Sequence, residues 1–571
     1  MSARVRSDFP RRVRRIDHTW IPLADGTRLS ARIWLPDDAD HDPVPAILEY
    51  LPYRKGDTTA SDDAVRHPYL AGHGYAAVRV DIRGSGDSEG LLDDEYSRQE
   101  HDDALEVLRW IAGQAWCTGA IGMMGISWGG FNSLQVAARR PPELKAVITA
   151  CSTDDRYADD VHYMGGSVLA FYMSVWASVM LSYGARPPDP ATVGERWRET
   201  WLARLHATPF LAERWLSHQR RDEYWKHGSV GDDPDAITCA VYAVGGWSDG
   251  YTNAIFRMLE GFSCPRKALI GPWEHLWPEE GIPGPAIGFL QESLRWWDHW
   301  LKGIDTGIMD EPQLRFWMQD SAPPMRIYDQ RPGRWAAEPS WPSPRIVPRT
   351  LAVNDAGLGD LAGADGAISH SSPLTVGLDS GSWLPYGNPA DLPGDQRTED
   401  AASLTFESAV LTEPLELLGR PVAHLTVSCD RPSAFLAVRL CEVLPDGGSL
   451  LITRGIINLC HRESHEHPQA LEPGTPYRVS LPLKAIAHAV AAGSRLRLAI
   501  STSYWPWIWP SPQTPTVTVH TGVASSLELP VRPQRPEDAD LAPFAEPETA
   551  QPLAVQWLRD RVPYVIVSHD H

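Results

Sequence analysis

The sequence predicts an α/β architecture: a largely parallel sheet with helices on both faces, a helical insertion, and a separate all-β region towards the C-terminus. Three observations carry this. Apolar runs alternate with helix-like stretches over residues 1–150 and again over 238–335. Between 151 and 237 the pattern is helical and strand signals stop. From 336 to 571, short alternating or apolar runs recur between turn residues, as in a β sandwich.

The elements follow in order. Residues 14 to 36 alternate around Asp25-Gly26, which signals a hairpin. Strands near 46–50 and 75–81 come next, then a helix from about Glu100 to Gln114. Ala120 to Met124 is a strand, Phe131 to Arg140 a helix, and Ala146 to Ala150 a further strand. In the insertion, Thr192 to Leu205 and Phe210 to Tyr224 read as helices. The sheet resumes with Ala240 to Val244, the helix Asn253 to Phe262 and the strand Ala268 to Ile270, and closes with the helix Gly288 to Lys302. A Pro-rich stretch, Ala336 to Arg349, marks the next boundary. Beyond it lie runs at 402–406, 422–428, 435–440, 449–457, 477–481 and 495–500, with Asp446-Gly447-Gly448 as one of the turns. There is no internal repeat.

Composition narrows the function classes. A formal charge of −21 argues against nucleic acid or an anionic membrane as partner, and against a polyanionic substrate. The seven cysteines are scattered and form no C-x-x-C pair, so neither a metal site nor a redox site is indicated. Free thiols point to a reducing, cytoplasmic setting. The Arg-rich N-terminus lacks a following apolar segment and does not read as a signal peptide. No run of about 18 apolar residues suggests a transmembrane helix. No cofactor is called for. Oligomeric state is not legible, and a homo-oligomer stays open.

Ser127 lies in Gly125-Ile126-Ser127-Trp128-Gly129, between a strand and a helix. Strand, G-x-S-x-G, helix is the nucleophile elbow of α/β-hydrolases, with glycines permitting the sharp turn. A capping serine in a Gly-rich turn is the plainer alternative. A serine nucleophile needs a base and an orienting acid, in the order Ser, Asp or Glu, His. Asp249 follows an apolar run within Gly245-Gly246-Trp247-Ser248-Asp249-Gly250, and His275 ends Gly271-Pro272-Trp273-Glu274-His275. Asp249 alone could be a turn aspartate, and His275 is one of 20 histidines. Three matches in the right order, each ending an apolar run, predict a Ser127–His275–Asp249 triad. The backbone N–H of Trp128, directly after the nucleophile, is the first expected oxyanion donor. For a second, spacing leaves open whether Tyr53, in the loop after the 46–50 strand, donates its phenol or merely packs.

Four segments together resemble the cocaine esterase and X-Pro dipeptidyl-peptidase (CocE/NonD, S15) family of serine hydrolases: Pro52-Tyr53-Arg54-Lys55, Asp81 to Gly90, Gly125 to Gly130, and Gly271 to His275. The resemblance implies an α/β-hydrolase sheet, a helical cap over 151–237 and a jelly-roll-like C-terminal domain. It also implies that Tyr53 donates its hydroxyl to the oxyanion and that Tyr251, two residues past Asp249, faces substrate. The 81–90 segment is expected to shape the mouth of the site, with no chemical role for Asp87 or Glu89. The family's α-amino-acid ester hydrolases hold a substrate ammonium with acids that closely follow the catalytic aspartate. Here the matching stretch is Gly250-Tyr251-Thr252-Asn253, without an acid. The cap acids Asp154, Asp155, Asp159 and Asp160 are candidates for binding a cation, or else loop and cap chemistry. The 24 tryptophans, some in the cap and some in Trp505-Pro506-Trp507-Ile508-Trp509, are packing units or the lining of an aromatic acyl pocket. The expected activity is hydrolysis of small-molecule carboxylic esters. The alternatives are a dipeptidyl-peptidase, an amide or β-lactam acylase, or a non-catalytic binding protein on the same fold.

Overall fold

A computed structural model describes residues 3–556. The last part of the expected β region, 557–571, lies outside the described residues. The hairpin Val13–Pro22 and Arg28–Pro36 is antiparallel, turning at Gly26 with φ +88°. It forms one edge of a sheet whose order is then Ala76–Asp81, Val44–Leu51, Cys117–Ile126, Leu144–Ala150, Ala240–Gly246, Arg266–Gly271 and Leu314–Asp320. From Ala76–Asp81 onward every neighbouring pair is parallel. These strands are covered on both sides, which is why they read as continuous apolar runs; all of Ala240–Gly246 is buried.

One face packs on helices Arg98–Ala112, Trp128–Ala137 and Thr252–Gly261, through side chains such as Val107, Leu134 and Ile255. The other packs on Ala60–Gly72 and Phe289–Lys302, through Leu70, Trp296 and Trp297. Ser97 caps the first of these helices by accepting the Glu100 N–H at 3.2 Å. The last ends at Gly303 in the left-handed conformation, φ +69°.

The sheet does not close with the helix at 289–302. Leu314–Asp320 adds a parallel strand, burying Leu314, Phe316 and Met318 alternately, and Gly333–Glu338 pairs antiparallel to it. The second of these strands runs into the Pro-rich stretch read as a boundary.

The 151–237 segment is helical, with Ala170–Gly184, Trp197–Ala207, Leu211–Ser217 and Glu223–Lys226. It also contains a small hairpin that the sequence did not signal, Tyr163–Met164 with Ser167–Val168. Gly165 sits at its turn because a Cβ there would lie 1.9 Å from the Ile456 carbonyl oxygen. The helix expected from Thr192 to Leu205 is interrupted: the short helix Pro190–Val193 ends at Gly194, φ +70°, and the longer one starts at Trp197. The helix expected from Phe210 to Tyr224 is broken between Ser217 and Glu223.

Beyond residue 340 two sheets face each other. One contains Leu404–Glu407, Arg495–Ser501, Phe435–Val443 and Ser449–Asn458. The other is built on Val347–Asn354, Ser526–Val531, Val422–Cys429, Tyr477–Pro482, Val517–His520 and Ala367–His370. Leu351, Val353, Leu425, Leu436, Val438 and Leu498 fill the space between them. The strand Ile486–Val490 pairs with Leu415–Gly419 and also, over Gln319 and Asp320, with the hydrolase sheet.

The elbow depends on close backbone contact. A Cβ on Gly125 would lie 2.4 Å from the Gly129 carbonyl carbon, so neither side can yield by moving a side chain. Gly125→Ala is therefore expected to cost about 1–3 kcal/mol, seen as a lowered melting temperature. An unchanged melt would show that the turn has slack.

Candidate active site

Ser127 adopts φ +58° and ψ −125°, outside the regions a non-glycine residue normally occupies. Such a conformation costs of order 1–3 kcal/mol and persists only when its surroundings fix it. They do so here: the Ser127 N–H donates to the Ala150 carbonyl at 2.9 Å, and the Ser127 carbonyl accepts from the Phe131 N–H at 2.9 Å. Gly130 lets helix Trp128–Ala137 approach the next strand, since a Cβ there would be 2.9 Å from the Ala150 oxygen. The serine stands at the N-terminus of that helix, where the first N–H groups have no intrahelical partners.

Asp249 follows the strand Ala240–Gly246 and is completely buried. Thr252 Oγ1 donates to its carbonyl at 2.9 Å. His275 follows Arg266–Gly271, and its Nδ1 lies 2.9 Å from Asp249 Oδ1. That contact engages Nδ1 and leaves Nε2 as the ring nitrogen away from the carboxylate. Gly246 makes the closeness feasible, because a Cβ there would sit 1.9 Å from the Trp273 carbonyl oxygen. The Cys151 thiol lies against the Asp249 carboxylate, and burial beside that charge pushes its pKa well up, keeping it a neutral thiol.

Tyr53 reaches the same point from the loop after Val44–Leu51. Its hydroxyl stands beside the Ser127 side chain and the Trp128 backbone N–H. Burial raises the phenol far above its ordinary range, so it stays a donor. The ring is wedged against Trp128, Trp176 and Tyr183, at centroid separations of 6.3, 6.1 and 5.8 Å. The Trp128 ring is anchored by Nε1 donating to Glu100 Oε1 at 2.6 Å. The 81–90 segment buttresses this loop: Asp81 accepts the Lys55 N–H at 2.8 Å, and Asp87 pairs with the buried Lys55 ammonium at 3.0 Å.

Ser127, His275 and Tyr53 open into one cavity of about 430 Å3. Its walls are aromatic and aliphatic: Phe171, Trp176, Val179 and Tyr183 from the cap, and Leu384 and Tyr386 from beyond residue 380. Asp62, Arg66 and Glu280 stand at its polar end. The 383–388 segment was not flagged by the sequence, yet it meets the histidine directly. The Pro385 carbonyl accepts the His275 N–H at 2.9 Å, and the Tyr386 ring crosses the imidazole at 5.2 Å. Glu274 fastens the same segment by accepting the Gly387 N–H. Burial pushes the Glu274 carboxyl up to about 8, and its second oxygen has no acceptor role.

Tyr251 is placed differently from the expectation that it faces substrate. It does not line the cavity. It packs beside His275 at 5.7 Å between ring centroids and donates to Asp160 Oδ1 at 2.9 Å. Asp160 in turn meets His162, whose other nitrogen lies 3.1 Å from Glu95; the two acids push His162 up to about 9. Trp176 Nε1 donates to the same Glu95 at 2.9 Å, so one buried polar chain runs from beside His275 to the cavity wall. The other cap acids are engaged: Asp154 and Asp159 by Arg257, Asp155 by Arg221. Of the tryptophans singled out, Trp176 lines the cavity, Trp215 and Trp225 are buried in the cap, and Trp507 is held by the Gly381 carbonyl outside it.

Residues 25–277 match the family model of the X-Pro dipeptidyl-peptidase (S15 family), and 306–534 match that of the X-Pro dipeptidyl-peptidase C-terminal non-catalytic domain. The chain is 26% identical over 529 residues to cocaine esterase of Rhodococcus sp. (strain MB1 Bresler), covering 83% of this chain and 88% of that protein. Its fold is similar to that of a CocE/NonD family hydrolase from Staphylococcus aureus, with TM-score 0.71 and 18% identity over 91% of this chain and 93% of the other. It is also similar to an aminopeptidase from the marine sediment archaeon Thaumarchaeota archaeon, with TM-score 0.73 and 20% identity over 92% and 96%.

Because Glu274 is protonated more readily in the folded chain than in an unfolded one, its contribution to stability is full below about 4.5 and is lost as pH rises towards about 8. Glu274→Gln lacks that titration. The variant's melting temperature relative to the parent should therefore climb between pH 5 and pH 8.5; a constant difference would refute the assignment.

Proposed function

The chain belongs to the X-Pro dipeptidyl-peptidase (S15) family of serine hydrolases, and from that membership and the site geometry we propose that it hydrolyses small carboxylic esters with an apolar acyl group through Ser127, His275 and Asp249. The observation that carries the reading is the convergence on one cavity of a serine in an elbow conformation, a histidine held by a buried carboxylate, and a phenol beside the serine. His275 Nε2 takes the Ser127 proton as the oxygen attacks the ester carbonyl, and Asp249 holds the tautomer and steadies the imidazolium. The Tyr53 hydroxyl and the Trp128 N–H receive the oxyanion. His275 then protonates the leaving alcohol, and water releases the acyl group by the same route. The aromatic wall of Trp176, Tyr183 and Phe171 suits an apolar acyl chain.

A second reading, release of dipeptides from a free N-terminus, draws on Asp62. This carboxylate stands at the polar end of the cavity beside Arg66, whose guanidinium is already paired with Glu279 and Glu280. Ester hydrolysis is favoured because residues 250–253, directly after Asp249, contain no acid, and Asp154, Asp155, Asp159 and Asp160 of the cap are paired within the protein.

Ser127→Ala should lower turnover of p-nitrophenyl butyrate by about 10⁴-fold or more while the protein still folds; retained turnover would remove Ser127 from the chemistry. Tyr53→Phe should cost about 10²–10³ in kcat, and a near-parental rate would leave Tyr53 a packing residue. The ratio of kcat/KM for p-nitrophenyl butyrate to that for Gly-Pro-p-nitroanilide should far exceed one. A ratio below one would establish the peptidase reading.

A further inference from the structure

A second, smaller cleft lies behind the loop that carries Asp249. It has a volume of about 110 Å3, more than one water requires. Three parts of the chain build it: Trp247 and Gln319 of the hydrolase sheet, Tyr328 and Arg331 of the segment after it, and Arg454 and Lys484 of the β region. Three cations therefore face one space in a chain of net charge −21.

Their bonding is incomplete. Arg331 is only 7% exposed. Its Nε donates to Gln319 Oε1 at 3.2 Å and its guanidinium lies over the Tyr328 ring at 5.1 Å, while its buried Nη1 has no partner. The Lys484 ammonium donates to the Trp247 carbonyl at 2.8 Å. Arg454 donates to the Ser380 carbonyl and to the Tyr504 hydroxyl, the latter at 3.1 Å, and lies over the Trp507 ring at 3.5 Å. Among the described residues, none of the three forms an ion pair. The nearby acids are committed elsewhere: Glu442 to His488 at 2.8 Å, to Ser321 and to the Ala491 N–H, Asp249 to His275, and Asp320 to Arg334 at 3.9 Å.

Buried cations without counter-charges are unfavourable, and the same burial lowers Arg331 and pushes Lys484 down to about 8. An anion carrying several oxygens would satisfy the free Nη1, form charge-assisted bonds to the guanidinium and ammonium groups, and offset their charge.

We propose that this cleft binds a small, multiply charged oxyanion, of the size of phosphate, sulfate or a short dicarboxylate, through Arg331, Lys484 and Arg454. The cleft adjoins the catalytic cavity, with Ser382 lining both, and its occupancy does not depend on which bond the enzyme cleaves. The test is a titration of the full chain with sodium phosphate, sulfate and malonate by calorimetry and by thermal melts, against sodium chloride at matched ionic strength. Saturable binding of at least one oxyanion with a rise in melting temperature beyond the chloride control is expected. Arg331→Gln and Lys484→Gln should each weaken it about tenfold or more, while Arg12→Gln, on the solvent-facing surface, should not. Absence of saturation in the parent chain, or equal affinity in both cleft variants, would overturn the proposal. Because the parent titration alone can fail, a cleft variant that does not fold leaves the proposal open to refutation.

Discussion

A run of backbone hydrogen bonds across the C-terminal ends of four strands holds the site together. Ser127 N–H donates to Ala150, Cys151 N–H to Val244, Trp247 N–H to Gly271, and Ser248 N–H to Trp273. Each bond continues a parallel ladder by one or two residues past the last strand pair. Serine, aspartate and histidine come from separate stretches of chain, and these bonds fix the strand ends from which the three extend. Gly130 and Gly246 serve that ladder, since a Cβ at either would meet one of its carbonyl oxygens, Ala150 or Trp273, while Gly125 lets the strand end pass the Gly129 backbone. The unfavourable serine dihedrals are tolerated because the bonds on both sides leave no cheaper position.

The residues that could be found in the sequence are those whose signal is local. Ser127, Asp249 and His275 each end an apolar run within a Gly-rich turn, and strand ends in a parallel sheet are where such turns converge. Tyr53 carries no local mark; its place is set by Trp128, Trp176 and Tyr183, which come from distant segments, and only the family resemblance pointed to it. The expectation for Tyr251 shows the limit of carrying a family resemblance onto a single residue. Two residues past the acid is close to the site, but the helix starting at Thr252 turns the ring behind His275 and towards Asp160. The strand Leu314–Asp320 does alternate, yet a short alternation after a long helix does not reveal that one edge of the sheet is still unpaired.

The cap and the β region contribute unlike things. The cap supplies apolar wall and pairs its charges with the hydrolase part, Asp154 and Asp159 with Arg257 and His162 with Glu95 as well as with its own Asp160. Opposite charges satisfied across that junction leave the cavity face of the cap free to be apolar. The β region works by reaching back. Its strand Ile486–Val490 extends the hydrolase sheet, Lys484 bonds the carbonyl of Trp247, and the 383–388 segment covers the histidine.

That last contact bears on how the enzyme comes into being at the ribosome. The main-chain amide of His275 is bonded to Pro385, and the carboxyl of Glu274 to Gly387. When Ser127, Asp249 and His275 have all been synthesised, more than a hundred residues still separate the nascent chain from the segment that bonds the His275 amide. A chain released before residue 388 would carry all three side chains without the contacts that Pro385 and Gly387 make beside the histidine.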